Sequence, residues 1–313
     1  MGDIEDKLRA RLGAGNTTTG QLPGSTPRAL PGEVAQRLED RAVRETYAPM
    51  TVYFVFDTTN SMQLYIDAVR NCANVVGNAI LSAEKGIEAT VWGVGEHDRV
   101  AGEEYARHRK QSFARTGGRR LGDYGQSNPA TTNIGAFVAQ VRTLVTDEGY
   151  INGDTPEAYE CIAADLVRTI SEDKARNPGK KQVVVFFGDA YPHQKEGGFN
   201  DRGCPDGNGP EQLTILGTLA DRTYWVDCNR TSSISDFRSG TFELVHRISI
   251  AMYLKFADAQ GVLPEALIGM IKQAQSPAAL AEYLRALPGE KQGTVAGLLG
   301  AGTPGNIDKY KGR

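Results

Sequence analysis

The sequence predicts an α/β protein built on a doubly wound, mainly parallel sheet. Three observations predict it. Short runs of β-branched and aromatic residues, "MTVYFVF" (Met50 to Phe56), "IEATVWGVG" (Ile87 to Gly95), "KQVVVFFGD" (Lys181 to Asp189) and "TYWVD" (Thr223 to Asp227), suit buried strands. Helix-like stretches of ten or more residues separate most of them, as parallel crossovers require. Acids follow two of the most apolar runs, Asp57 after "YFVF" and Asp189 after "VVVFFG", where ligand-binding loops leave an open parallel sheet.

Along the chain, residues 1–32 read as a short N-terminal helix and a flexible linker. Ile4, Leu8 and Leu12 recur at a spacing of four, Asp3 can cap the helix and Gly13 can stop it. The following "GNTTTGQLPGSTPRALPG" is rich in Gly, Thr and Pro. Residues 33–259 read as the main domain, entered through the helix "EVAQRLEDRAVRE". A long helix is expected from about Met62 to Ala83, with Ile66, Val69, Ala73, Val76 and Ile80 on one face. From Glu96 to Thr132 the chain is polar, and "QSFARTGGRRL" (Gln111 to Leu121) suits an edge hairpin turning at Gly117 and Gly118. Seven Arg or Lys and four acids between His97 and Gly125 make that stretch a solvated excursion.

Further helices are expected at about Ile134 to Val145, Pro156 to Asp173, "PEQLTILGTLAD" and Asp236 to Ala257. Residues 260–300 read as a helical extension broken at Pro277 and Pro288, and 301–313 as a mobile tail. Met62, Tyr65, Trp92 and Trp225 read as core residues, and His193 as a surface or packing histidine.

With 313 residues the chain is long enough to bury a substantial core. Its four cysteines, Cys72, Cys161, Cys204 and Cys228, show no metal-type CxxC spacing, and two lie in apolar helix-like patterns where a free thiol is a small buried hydrophobe, so a reducing compartment is expected. "GDIEDKLRARL" after Met1 has charges where a secretory signal needs an apolar run, which suggests a soluble, cytoplasmic protein. A formal net charge of −3, from 35 basic and 38 acidic residues, gives no reason to expect nucleic acid or a membrane as partner.

The chemistry concentrates at the strand ends. Two central-strand carboxylates, Asp57 and Asp189, at one rim of a sheet would repel unless something positive sat between them. Hydroxyls stand nearby in sequence: Thr59 and Ser61 in "DTTNSM", and Thr155 in "NGDTPEA". Hard oxygen donors of low total charge suit Mg²⁺ or Mn²⁺. Two carboxylates only balance the ion, so it remains electrophilic toward a further carboxylate.

With these residues the chain resembles a von Willebrand factor A domain carrying a metal-ion-dependent adhesion site. That family's D-x-[ST]-x-S, then Thr, then Asp fall on Asp57, Thr59 and Ser61, then Thr155, then Asp189. Intracellular members, including those joined to or neighbouring α-kinases, have loops similar to "DTTNSM", "NGDTPEA" and "GDAYPH" here. The similarity spans roughly Met50 to Ala257. It departs from the pattern at Asn60, where Gly is usual, at "NGD" before Thr155, and at "GVGEHDRV", where no role carries over to Glu96, His97 or Asp98. The resemblance implies a Rossmann-like fold and an adaptor or scaffold that holds an Asp or Glu of a protein partner through the metal.

Two other functions remain in view. A Mg²⁺-dependent phosphohydrolase could use Asp57 as nucleophile, yet such enzymes want an acid two residues later, where Thr59 stands. No P-loop and no GxSxG occurs, and "GVG" at Gly93 to Gly95 is too short for a dinucleotide fingerprint. The expectation is therefore a non-enzyme. The third option is a structural subunit with a vestigial metal site.

Overall fold

A computed structural model describes residues 48–81, 86–97, 116–146, 156–197, 203–228 and 252–301. The chain divides into two units, residues 1–42 and 43–313, and every described residue belongs to the second. The N-terminal helix, the linker, the helix beginning at Glu33 and the tail after residue 301 lie outside the described residues.

Each apolar run becomes a strand. β1 (Met50–Asp57) leads through a 3-10 turn (Asn60–Met62) into α1 (Gln63–Ile80), and β2 (Ile87–Val94) follows. A hairpin, β3 (Arg119–Leu121) and β4 (Gly125–Ser127), precedes α2 (Ile134–Thr143) and α3 (Tyr159–Arg176). Then come β5 (Lys181–Gly188), α4 (Glu211–Leu219), β6 (Arg222–Asp227) and β7 (Met252–Lys255). Four helices close the described chain: α5 (Phe256–Ala259), α6 (Leu263–Gln275), α7 (Pro277–Ala286) and α8 (Gly289–Ala301).

The seven strands form one mixed sheet in the order β3-β4-β2-β1-β5-β6-β7. The pairs from β2 through β7 are parallel, and the β3–β4 hairpin joins β2 antiparallel at one edge. β1 is therefore central, with β2 on one side of it and β5 on the other, so the chain builds first to one side of β1 and then to the other.

All of β1 is buried because both of its faces are covered. Val52, Phe54 and Phe56 point into one apolar cluster with Ile66, Val69, Phe137 and Leu267 from α1, α2 and α6. Tyr53 and Val55 point into the other with Ile162, Leu166 and Leu213 from α3 and α4. Each such side chain removed from water stabilises the fold by about 1.5–3 kcal/mol, which is why these strands are apolar throughout and do not alternate. Met62, Tyr65, Trp92 and Trp225 are core residues as expected.

Three expectations shift. The hairpin turns at Gly122 to Tyr124, with Leu121 paired to Gly125, and not at Gly117 and Gly118; Gly122 supplies the positive φ of 48° that its tight loop needs. α3 begins at Tyr159 and not at Pro156, because Glu157 is drawn into a bridge with Pro192 and its N–H donates to Tyr191 O at 2.9 Å. Residues 252–255, expected in a helix, are strand β7: the open edge of β6 offers a ladder of partners that outweighs the local pattern. Of the rest of that expected helix, residues 236–251 lie outside the described residues, and Phe256 and Ala257 fall in α5.

Candidate functional site

β1 ends in Asp57, which is fully buried, and the chain turns at once toward α1. Asp57 Oδ1 accepts from the Thr59 backbone N–H at 2.8 Å and from Thr59 Oγ1 at 2.6 Å. Thr59 Oγ1 also lies 3.3 Å from Ser61 Oγ. Thr58 faces away, its N–H and hydroxyl both donating to Val94 O at 2.7 and 2.8 Å, which ties the loop to the end of β2. The oxygens of residues 57, 59 and 61 thus form one line running from the interior to solvent, for Thr59 is buried and Ser61 exposed. The N-cap of α1 is Met62, so Ser61 is not its capping residue.

β5 supplies the second acid. Phe56 pairs with Phe187, which places Asp57 beside Gly188 and makes Asp189 the next residue along the rim. Gly188 has to be glycine: a Cβ there would stand 2.1 Å from the Tyr159 hydroxyl. Through that gap Tyr159 OH donates to Asp57 Oδ2 at 2.7 Å. Burial, and then the charge of Asp189, push the Asp57 carboxyl up to about 7, against the hydrogen bonds from Thr59 and Tyr159. Burial and the charges of Asp57, Asp189 and Glu157 push the Tyr159 hydroxyl well above its ordinary value.

Of the five residues expected to hold metal, Asp57, Thr59 and Ser61 are brought into one cluster, and Asp189 into electrostatic contact with it. Thr155 lies outside the described residues. Three rim residues were missed. Tyr159 and Glu157 follow Thr155 closely in sequence. Asp227 ends β6, is buried, and accepts from the Tyr253 hydroxyl. An acid closing "TYWVD" was the available signal for Asp227.

A second polar cluster lies near the same end of the sheet. Glu96 and His97, which carried no expected role, are fully buried, as is His193, which takes the packing alternative of its two expected places. His193 Nδ1 lies 3.2 Å from Glu160 Oε1, and its Nε2 lies 3.3 Å from Glu96 Oε1. Burial opposes charge on both histidines, but Glu160 and Glu96 outweigh it at His193, and Cys204, Glu160 and Asp123 at His97; each is pushed up to about 10. Two groupings able to hold a metal ion result among the described residues: His97, Glu160, Cys161 and Cys204, and His97, Asp123 and Asp206. The absence of CxxC spacing was thus no guide to whether thiols meet.

No protein-family model matches the chain, and no curated protein matches it. Solved structures similar to it include the pilus adhesin SpaC from Lactobacillus rhamnosus GG in an open conformation, at 13% identity and TM-score 0.46, covering 73% of this chain and 30% of that one. A mutant of the PilB minor pilin from Streptococcus sanguinis is 11% identical with TM-score 0.42, covering 77% of this chain and 64% of that one. Proximal thread matrix protein 1 from the mussel byssus is 10% identical with TM-score 0.42, covering 72% and 48%. This chain therefore spans less than two thirds of each of these proteins.

Proposed function

We propose that the chain is a metal-dependent protein-interaction module with a doubly wound, Rossmann-like von Willebrand factor A fold, acting as an adaptor or scaffold subunit in the cytoplasm. Asp57, Thr59, Ser61, Thr155 and Asp189 would hold Mg²⁺ or Mn²⁺, and the ion would take an Asp or Glu of a partner protein. The observation that carries the proposal is the line of oxygens from buried Asp57 through Thr59 to exposed Ser61, with Asp189 beside it on the neighbouring strand.

The donor set fits a hard cation. Two carboxylates of like charge destabilise each other at close range, and a divalent ion between them reverses the sign of that interaction. The hydroxyls add coordination without charge, so the ion would keep affinity for an external carboxylate. Tyr159 would hold the Asp57 carboxylate in orientation. The parallel strands stand in the order β2-β1-β5-β6-β7, with β1 flanked by the strand that follows it and by β5, and this supports the fold proposal, because the rim between β1 and β5 is where such sheets place a ligand. Catalysis by Asp57 is disfavoured, since position 59, where such enzymes place a second acid, is Thr59.

Calorimetric titration of the metal-stripped protein with Mn²⁺ and Mg²⁺, beside Asp57→Ala and Asp189→Ala, tests this. Binding at one site per chain, lost in both variants while circular dichroism stays unchanged, is the expected result. If wild type stays silent even with acetate or glutamate present, the adhesion-site proposal falls and a structural subunit is favoured.

A further inference from the structure

We propose that His97, Cys161, Cys204 and Glu160 form a zinc site that is separate from the oxygen-lined rim. The four come from three distant parts of the chain: the segment after β2, the first turn of α3, and the loop before α4. Cys161 Sγ lies 3.3 Å from Cys204 Sγ, and His97 Nε2 lies 3.6 Å from the first sulfur and 3.8 Å from the second. A tetrahedral zinc with bonds of about 2.3 Å to sulfur and 2.0 Å to nitrogen requires S–N edges of about 3.6 Å and an S–S edge of about 3.8 Å. The observed triangle is within about half an ångström of that on every edge. His97 Nε2 lies 3.9 Å from Glu160 Oε1, which supplies the fourth corner.

The surroundings are those of a metal site as well. His97 Nδ1 lies 2.7 Å from Asp123 Oδ1, so a proton held there leaves the Nε2 lone pair aimed at the two sulfurs. Glu160 accepts from the His193 backbone N–H at 3.1 Å, and the His193 ring sits beside it, which fixes the carboxylate. Asn208 Nδ2 donates to Cys161 Sγ at 3.2 Å, a contact that favours thiolate. Two sulfurs with one imidazole select a soft or borderline ion, so Mg²⁺ is a poor occupant and zinc a good one. With four protein ligands and buried walls the centre is closed, hence structural.

Its effect on the rim follows from one sequence neighbour. Glu160 and Cys161 directly follow Tyr159, whose hydroxyl holds Asp57. Zinc would pin the first turn of α3 and so fix Tyr159 against the carboxylate.

The test uses full-length protein prepared with reductant and without chelator, with zinc measured by mass spectrometry and affinity by competition with a chromophoric chelator. The expected result is one zinc per chain, lost in Cys161→Ser and Cys204→Ser and unchanged in Asp57→Ala and Cys72→Ser. Asp123→Asn should weaken it about 10–100-fold. Should the serine variants misfold, Co²⁺ added to the wild-type apoprotein decides, since intense thiolate-to-cobalt absorption and tetrahedral visible bands are expected. Absence of both zinc binding and that absorption in folded, reduced wild type overturns the proposal. So does a Cys161–Cys204 disulfide found by native alkylation in protein purified with zinc present, or zinc that leaves with Asp57→Ala.

Discussion

Asp57 is an acid without water contact, held by Thr59 on one oxygen and Tyr159 on the other, yet pushed up to about 7 chiefly by burial and next by Asp189. A raised folded-state value means that the folded protein holds the proton more tightly than the unfolded chain does. Its contribution to stability is full below the ordinary 3.8 and is lost as pH rises to about 7. Asp57→Asn has no such loss. In EDTA, urea unfolding should therefore show the variant gaining on wild type by about 2–3 kcal/mol between pH 5 and pH 8. Saturating Mg²⁺ at pH 8 should stabilise wild type alone. A variant-to-wild-type difference that stays flat with pH would mean that Asp57 is not the strained acid its surroundings imply.

Among the elements, the end of β5 and the start of α3 depend on each other. Gly188 leaves the space through which Tyr159 reaches Asp57, and a Cβ there would also lie 3.3 Å from Trp225, which stacks on Phe186. Gly188→Ala should cost about 1–3 kcal/mol in urea unfolding by overpacking. Removing the hydroxyl as well, in Gly188→Ala/Tyr159→Phe, should recover part of that, giving a coupling of about 1 kcal/mol in the double-mutant cycle. Strict additivity would show that the clash is absorbed elsewhere. The same elements show what sequence can carry. β1 and β5 were legible because a strand covered on both faces must be apolar at every position, and Asp57, Thr59 and Ser61 because one tight turn gathers them. Tyr159 was not, since its partner is 102 residues away. Nor was the thiol cluster: 64 residues separate His97 from Cys161 and 43 separate Cys161 from Cys204, and only the sheet order brings them together. β7 was misjudged because its four residues acquire their conformation from the edge of β6.

Over the whole molecule, the two ends of the sheet are used differently. The polar clusters gather at the carboxyl ends of the strands, while residues near the amino ends of β5 and β6 hold the last turns of α6. Lys181, the first residue of β5, donates through Nζ to the carbonyls of Ala274 and Gln275 at 3.1 and 2.6 Å, capping the C-terminus of α6 where a cation is favoured. The Tyr224 hydroxyl donates to Met270 O at 2.9 Å. α8 then covers α6: Val295 and Leu299 are buried in the same cluster as β1, and Leu299 packs against Gly269 so closely that a Cβ there would lie 2.6 Å from its Cδ1. The expected helical extension is three helices interrupted near Pro277 and Pro288, and α6 and α8 contribute buried residues to the core on one face of the sheet. Leu299→Ala leaves a cavity at that seam and should cost about 2–5 kcal/mol in urea unfolding. Because Val295, Leu299 and Gly269 share no contact with Asp57, Thr59 or Ser61, Mn²⁺ affinity measured well below the unfolding transition should stay within about twofold of wild type. A stability loss under about 1 kcal/mol would show the extension to be loosely held. Lost affinity in a folded variant would instead show that the packing of α8 on α6 is coupled to the metal rim.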